Sequence, residues 1–308
     1  MGLGVFGTIL LSNRGGANAV FCYDSFMIVL LNGKYIPEEE AKISVFDQGF
    51  LYGDGVYETM RTYKGVLWKP DLHMKRLEKS MQAAGMKLPY AYARLIDQVK
   101  MLIKKNGCKE ARVRVMITRG LSATKGARFA PNLKGRVTVC ITCYALPLFT
   151  GKVKLPEVAA AFFPVERAFP TVKTTSMFPL VMARMHALQQ GFFDVLLVDR
   201  EGYVSEGAVS NLFVVRKGVL YTPKAGVLLG VTRETILKLG RVLVRKKILK
   251  KMVYGYFKKS FVKTADEVFL TNAPSGVVAV TNIGGKLVGK GKAGPVTKAV
   301  FQALVDSL

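Results

Sequence analysis

Cysteine, histidine and acidic side chains are the scarce residues of this sequence. Four cysteines in 308 residues give no disulfide framework of the kind that staples small secreted domains. Cys140 and Cys143 are spaced as CxxC, but no second such pair accompanies them and the only histidines are His73 and His186. A zinc site would lack ligands. Residues 137–143 are rich in β-branched side chains and read as a strand, on which positions i and i+3 face opposite ways. The two thiols are therefore expected on different faces, as buried strand cysteines, and no metal site is expected. Long apolar runs are missing too: residues 27–31 and 192–198 fall far short of the ~20 needed to span a bilayer as a helix. The apolar patch at residues 5–11 has no basic residue before it and no clear cleavage site after it, which argues against a secretory leader. Residues 1–26, with turn formers at Asn13, Gly15, Gly16 and Asn18, read as an extension before the folded body, with Met27 as the natural start. A soluble, cytoplasmic protein is expected.

The shortage of acid is the largest bias. Against 46 lysines and arginines stand 21 aspartates and glutamates, a formal charge of +25. Residues 241–264 hold nine basic side chains and no acidic one. Such a surplus suits a polyanion, a membrane surface or the steering of anionic substrates. In Arg245–Lys246–Lys247–Ile248–Leu249–Lys250–Lys251, however, the charges alternate with apolar residues at helical spacing. A solvated face of an amphipathic helix is the preferred reading, since no nucleic-acid motif is present.

What is present is enough apolar residue, half of the chain, for more than one core, and a length that suggests two domains. In the first, residues 29–36 read as strand, Asn-Gly turn and strand. Residues 72–84 and 91–105 carry apolar helical faces, each with a glycine (Gly85, Gly107) beyond its end. Residues 111–118 alternate arginine with valine, as a half-buried strand does. This is an α+β unit, a mostly antiparallel sheet with helices on it, expected over residues 27–145. Residues 146–154 form the natural linker, and residues 155–308 the second domain. There, helices are expected at 178–189, 232–249 and 295–308, with strands at 194–198, 210–215, 219–222 and 267–271.

Few motifs carry chemistry alone. Gly284 to Lys290 has the spacing of a P-loop, but Gly291 stands where a magnesium-binding hydroxyl belongs, and the context is a hairpin turn. No GxSxG elbow exists. Leu229–Gly230–Val231–Thr232–Arg233 precedes the expected long helix; backbone N–H groups at such an N-terminus, with the Thr232 hydroxyl, bind phosphate, although a simple threonine cap is commoner.

The segment from Asp199 to Phe213 (DREGYVSEGAVSNLF) resembles the class IV, fold-type-IV pyridoxal-phosphate enzymes. That group comprises branched-chain and D-amino-acid aminotransferases and aminodeoxychorismate lyase. The likeness runs from about Ile28 to the C-terminus. It includes Asn32–Gly33–Lys34, residues 46–57 and 73–77, Thr118–Arg119–Gly120, Val172–Lys173–Thr174, residues 230–233 and 269–272. It implies a two-domain α+β fold, a small N-terminal and a larger β-rich C-terminal domain, with pyridoxal 5'-phosphate between them. It implies an aminotransferase acting on an amino donor and a 2-oxo acid acceptor, as a homodimer whose partner subunit helps close the site.

Carried over residue by residue, the resemblance makes Lys173 the lysine that condenses with the cofactor aldehyde and then shuttles the α-proton, jobs that need an amine of lowered pKa. Glu206 would pair with the pyridine nitrogen, keeping the ring an electron sink. Arg76, Val231 and Thr232 would hold the phosphate, with Ser210, Asn211, Asn272 and Ala273 completing the cofactor site. Tyr52, Tyr57, Thr59, Arg61 and Arg114 fall where the family lines its substrate pocket; Arg114 is the candidate carboxylate clamp, with Arg112 on the same strand as its rival. The subclass stays open. Branched-chain enzymes usually have glycine at the position of Thr59 and often tyrosine at that of Met177. The usual Gly-Thr or Ser-Thr phosphate pair is here Asn272–Ala273, which removes one hydroxyl. Thr59 and Thr271–Asn272 look more like the lyases, whereas Arg114 has its counterpart in the branched-chain enzymes. A basic nucleic-acid-binding protein without catalysis is the remote alternative.

Overall fold

The computed structural model describes residues 27–122 and 135–308; the expected extension over residues 1–26 lies outside the described residues. The chain starts with β1 (Ile28–Leu31) and β2 (Lys34–Pro37). Asn32 and Gly33 between them have φ of 51° and 86°, the paired left-handed conformation that a two-residue hairpin turn demands and that Asn-Gly tolerates. Next come α1 (Gln48–Tyr52), capped by the Asp47 carboxylate, β3 (Gly55–Tyr63), β4 (Val66–Leu67), α2 (Pro70–Ala83), α3 (Tyr92–Lys105), β5 (Ala111–Thr118) and β6 (Thr138–Ala145). The strands form one sheet in the order β2-β1-β6-β5-β3-β4, antiparallel throughout.

One face of this sheet is the first core: Val56, Met60, Val113, Val115, Ile117 and Cys143 pack with Leu77 and Met81 of α2 and Leu95, Val99 and Leu102 of α3. Because side chains alternate along a strand, Tyr57, Thr59 and Arg61 of β3 take the other face. Arg114 lies directly opposite Thr59 in the β3–β5 register and shares it. Cys143 is wholly buried in the core, while its CxxC partner Cys140 lies outside it.

The described residues between Ala145 and Glu157 form neither helix nor strand. The second half contains β7 (Glu157–Pro164), α4 (Phe178–Gln189), β8 (Asp194–Val198), β9 (Tyr203–Gly207), β10 (Asn211–Arg216), β11 (Val219–Pro223), α5 (Val231–Arg245), β12 (Lys251–Gly255), β13 (Phe257–Lys258), α6 (Lys259–Lys263), β14 (Glu267–Asn272), β15 (Gly276–Ile283), β16 (Lys286–Leu287) and α7 (Pro295–Asp306). Its sheet runs β12-β11-β10-β14-β15-β7-β8-β9-β13 and curls until β9 also meets β10, Glu206 opposite Asn211. Helices α5 and α7 cover the face that carries Phe213 and Phe269, whose rings stack 4.9 Å apart.

Two expectations change. The long helix ends at Arg245 rather than at residue 249. Lys247 adopts φ 58°, and Ile248 and Leu249 fold back to donate to the Leu243 carbonyl at 3.0 and 3.2 Å. Leu249 is buried in the core by this reversal, which a continued helix would not achieve, and Lys251 already begins β12. The basic run is therefore a helix end, a turn and a strand start, with Arg245, Lys246, Lys247, Lys250 and Lys251 all exposed. Gly284 and Gly285, at φ 58° and 85°, form the β15–β16 hairpin turn, as the sequence context suggested, and not a phosphate loop.

Candidate active site

Between the two sheets lies a small cleft. It is lined by Tyr57, Arg167, Lys173, Glu206, Val209, Ser210, Asn211, Leu228, Gly230, Val231, Thr232, Thr271, Asn272 and Ala273. Lys173 is placed there by backbone pairing. Tyr57 N–H donates to the Lys173 carbonyl, Thr175 N–H to the Gly55 carbonyl, both at 2.9 Å, so Thr174 forms an isolated antiparallel bridge with Val56 of β3. The Lys173 ammonium stands 4.2 Å from the centre of the Tyr57 ring. Burial pushes the Lys173 pKa below the ordinary lysine value, Arg76 nearby adding to the effect against the opposing pull of Tyr57 and Glu58. A lysine so depressed is a better nucleophile and proton carrier near neutral pH.

Arg76, on α2, is aimed by Glu58, on the core side of β3. Its Nε and Nη2 donate to the two carboxylate oxygens at 2.7 and 2.8 Å, leaving Nη1 to reach the Leu229 carbonyl at 3.2 Å beside the start of α5. His73, one helical turn before Arg76, contacts Glu58 Oε2 through Nδ1 at 2.8 Å. Burial alone would raise the Glu58 pKa, but the Arg76 charge and the hydrogen bonds from Arg76 and His73 outweigh it and hold the carboxyl at about 2. Burial also pushes His73 down, so a neutral imidazole donating to an ionised Glu58 is the consistent state.

At the other end, Glu206 is gripped by Arg167, by the Asn211 amide at 2.8 Å and by Leu228 N–H at 3.0 Å. Even so, burial raises its pKa to about 7, Arg167 opposing. A carboxylate this buried gains from a further positive partner. Between these ends the helix α5 opens at Gly230, with Val231 and Thr232 in its first turn. The Thr232 hydroxyl is buried without a hydrogen-bond partner, at a helix end whose free N–H groups favour an anion.

The cleft thus assembles Lys173, Glu206, Ser210, Asn211, Val231, Thr232, Asn272, Ala273 and Tyr57, with Arg76 at its edge. Ser210 spends its hydroxyl on Asp194, at 2.9 Å. Arg114 stacks 4.2 Å from the Tyr57 ring centre, its Nε buried and unpartnered, with Thr59 opposite; Arg112 is instead exposed, over Tyr144. Two of the expected substrate residues do not join them. Arg61 donates to the Pro274 carbonyl at 2.7 Å and stacks on Tyr63, tying the first sheet to the β14–β15 turn. Tyr52 lines a separate cavity with Gly53, Asp54, Phe169 and Ser176. Sequence reasoning missed Arg167, Glu58 and the role of His73. Glu58 left a signal, a carboxylate on the core face of a strand, which needs a cation and hydrogen-bond donors, and Arg76 and His73 at i+3 and i on the facing helix supply them. Arg167, in an irregular stretch, left none.

The sequence pattern described as amino-transferase class IV matches residues 55–283, so the chain belongs to the class IV aminotransferases and is a transaminase. It is 31% identical to the D-alanine aminotransferase of Bacillus licheniformis over 92% of this chain and 97% of that protein. It is 28% identical to the branched-chain-amino-acid aminotransferase of Pseudomonas aeruginosa over 91% and 92%. Among solved structures, the branched-chain amino acid aminotransferase from Escherichia coli superposes with a TM-score of 0.80, at 26% identity, covering 91% of this chain and 93% of that one. The fold is that of these enzymes, α+β with fold-type-IV architecture.

Proposed function

We propose that this transaminase uses pyridoxal 5'-phosphate in the cleft between its two sheets and moves amino groups between a branched-chain or related amino acid and a 2-oxo acid. The observation that carries the reading is the span from Lys173 to Glu206 and the α5 N-terminus. It puts a depressed amine, a buried carboxylate and an anion-binding helix end with a stranded hydroxyl around one cleft. Those three groups match an aldehyde, a ring nitrogen and a phosphate. When bound, the cofactor supplies an aldehyde to take up the amino group and a ring to accept electrons as the α-proton leaves.

The chain's own residues do the rest. Lys173 Nζ takes the proton from the donor's Cα and returns it on the other side of the exchange. Glu206 Oε1 and Oε2, fixed by Arg167 and Asn211, hold the proton on the ring nitrogen. Arg76 and the Val231–Thr232 turn bind the phosphate. Arg114, with a planar fork and a free Nε, suits a substrate carboxylate, and Tyr57 and Thr59 flank it.

The protein is also proposed to act as at least a dimer. Phe46, Phe50, Leu51 and Tyr52 in and before α1 are exposed together, as are Phe178, Val181, Met182 and Met185 of α4. Clusters of this size mark contact surfaces, and a partner covering α1 would give Tyr52 a role in closing a site. Sedimentation at micromolar concentration tests this; a monomer would refute it.

The functional test is the near-ultraviolet and visible absorbance of the purified protein with pyridoxal 5'-phosphate, before and after L- and D-amino acids. A Lys173-dependent visible band that one donor bleaches, with its 2-oxo acid released, supports the reading and names the donor's handedness. No band at saturating cofactor would refute it.

A further inference from the structure

Two threonine hydroxyls, those of Thr232 and Thr271, are buried in the wall of the cleft and make no hydrogen bond. Thr232 belongs to the opening turn of α5. Thr271 lies in β14 directly opposite Asn211 of β10, and cross-strand partners share a face of the sheet. That face looks onto the start of α5. The Asn211 amide donates to the Leu228 carbonyl at 2.7 Å, and its Oδ1 lies 2.0 Å from where a Cβ on Gly230 would stand. Glu206, opposite Asn211 on the other side, is on the same face. Glu206, Asn211 and Thr271 are thus neighbours across three strands, and Thr271 is the one two strands from Glu206.

Its sequence neighbours are poorer donors. Asn272 points to the opposite face by alternation, and its Oδ1 accepts from Ser275 N–H at 2.8 Å within its own turn. Ala273 has no polar side chain. The loss of a hydroxyl at the 272–273 pair is therefore matched by a hydroxyl one residue earlier.

We propose that Thr271 is the second hydroxyl donor of the phosphate site, in the place that family resemblance gives to Asn272–Ala273. The inference rests on the cofactor reading above. A buried hydroxyl with no partner destabilises the empty protein and is satisfied when a dianion arrives. Thr271→Val keeps the shape and removes the hydroxyl, so its two effects have opposite signs.

The test uses the cofactor-free protein with inorganic phosphate and then pyridoxal 5'-phosphate, followed by thermal shift and by fluorescence titration. Cofactor-free Thr271→Val is expected to melt no lower than the parent. Its Kd for inorganic phosphate and for the cofactor is expected to rise roughly tenfold, the loss of one hydrogen bond to a charged group. Thr271→Ser should recover most of the affinity, and Asn272→Ala should weaken binding clearly less than Thr271→Val. Parent-like binding by Thr271→Val, or a larger loss in Asn272→Ala, overturns the assignment while leaving the cofactor reading intact. A parent protein that binds neither ligand overturns both.

Discussion

Glu58 holds Arg76 by both Nε and Nη2, at 2.7 and 2.8 Å, with the carboxylate fully buried. The pair joins the core packed on the first sheet to the Leu229 carbonyl beside the start of α5. Removing the carboxylate would leave a buried guanidinium without its partner, which destabilises by about 3–5 kcal/mol. Glu58→Gln keeps one acceptor and should lose somewhat less, with weaker cofactor binding because Arg76 is no longer aimed.

The same carboxyl sets an acid limit. Its pKa is about 2 in the folded protein against an ordinary 4.5, so its contribution is present in full above 4.5 and is lost as pH falls from there towards 2. Denaturation of wild type and Glu58→Gln between pH 6 and pH 2 (roughly, the range that brackets both values) should show the gap between them closing on acidification. A gap that does not vary with pH would contradict this.

Glu206 has the opposite sign. Its pKa is raised from 4.5 to about 7 in the cofactor-free protein, so the stability it contributes is present below 4.5 and is lost as pH rises through 7. Glu206→Gln mimics the protonated form. It should gain stability relative to wild type over that interval, by roughly 3 kcal/mol in all, and should be nearly inactive with cofactor added. Parallel pH–stability curves for the two proteins would show that the carboxyl is not perturbed.

Lys173→Ala is expected to abolish turnover while cofactor still binds, more weakly, through its phosphate and ring contacts. Single-turnover assays with excess cofactor decide this. Full activity in the variant would remove Lys173 from the chemistry.

Gly230 has an ordinary φ of −67°, so alanine there meets no backbone strain. It would meet Asn211 Oδ1 at 2.0 Å, and Asn211 is fixed by Leu228 and Glu206. Gly230→Ala should therefore displace Asn211 and loosen Glu206, at a cost of about 1–3 kcal/mol from overpacking and with loss of cofactor affinity. Wild-type affinity and stability would show that Asn211 moves aside freely.

Local signals were enough for much of this protein. The Asn32–Gly33 turn, the alternation over residues 111–118, the α4 limits at 178 and 189 and the separation of Cys140 from Cys143 all follow from backbone preference and side-chain period, which act over a few residues. Family likeness in the ordered blocks around Lys173 and Glu206 supplied the chemistry that no single lysine or glutamate could announce. The tertiary structure decided what depends on distant partners. Helix α5 ends at Arg245, and Leu249 joins the core after the turn at Lys247. Arg61, expected among the substrate residues, donates to the carbonyl of Pro274, more than two hundred residues away. Arg167 finds Glu206, and Thr271 turns towards α5 because β14 is paired with β10 in one register and no other. Sequence sets the period of each strand; only the pairing of strands sets which side chains meet, because burial and hydrogen bonding are settled between segments and not within them.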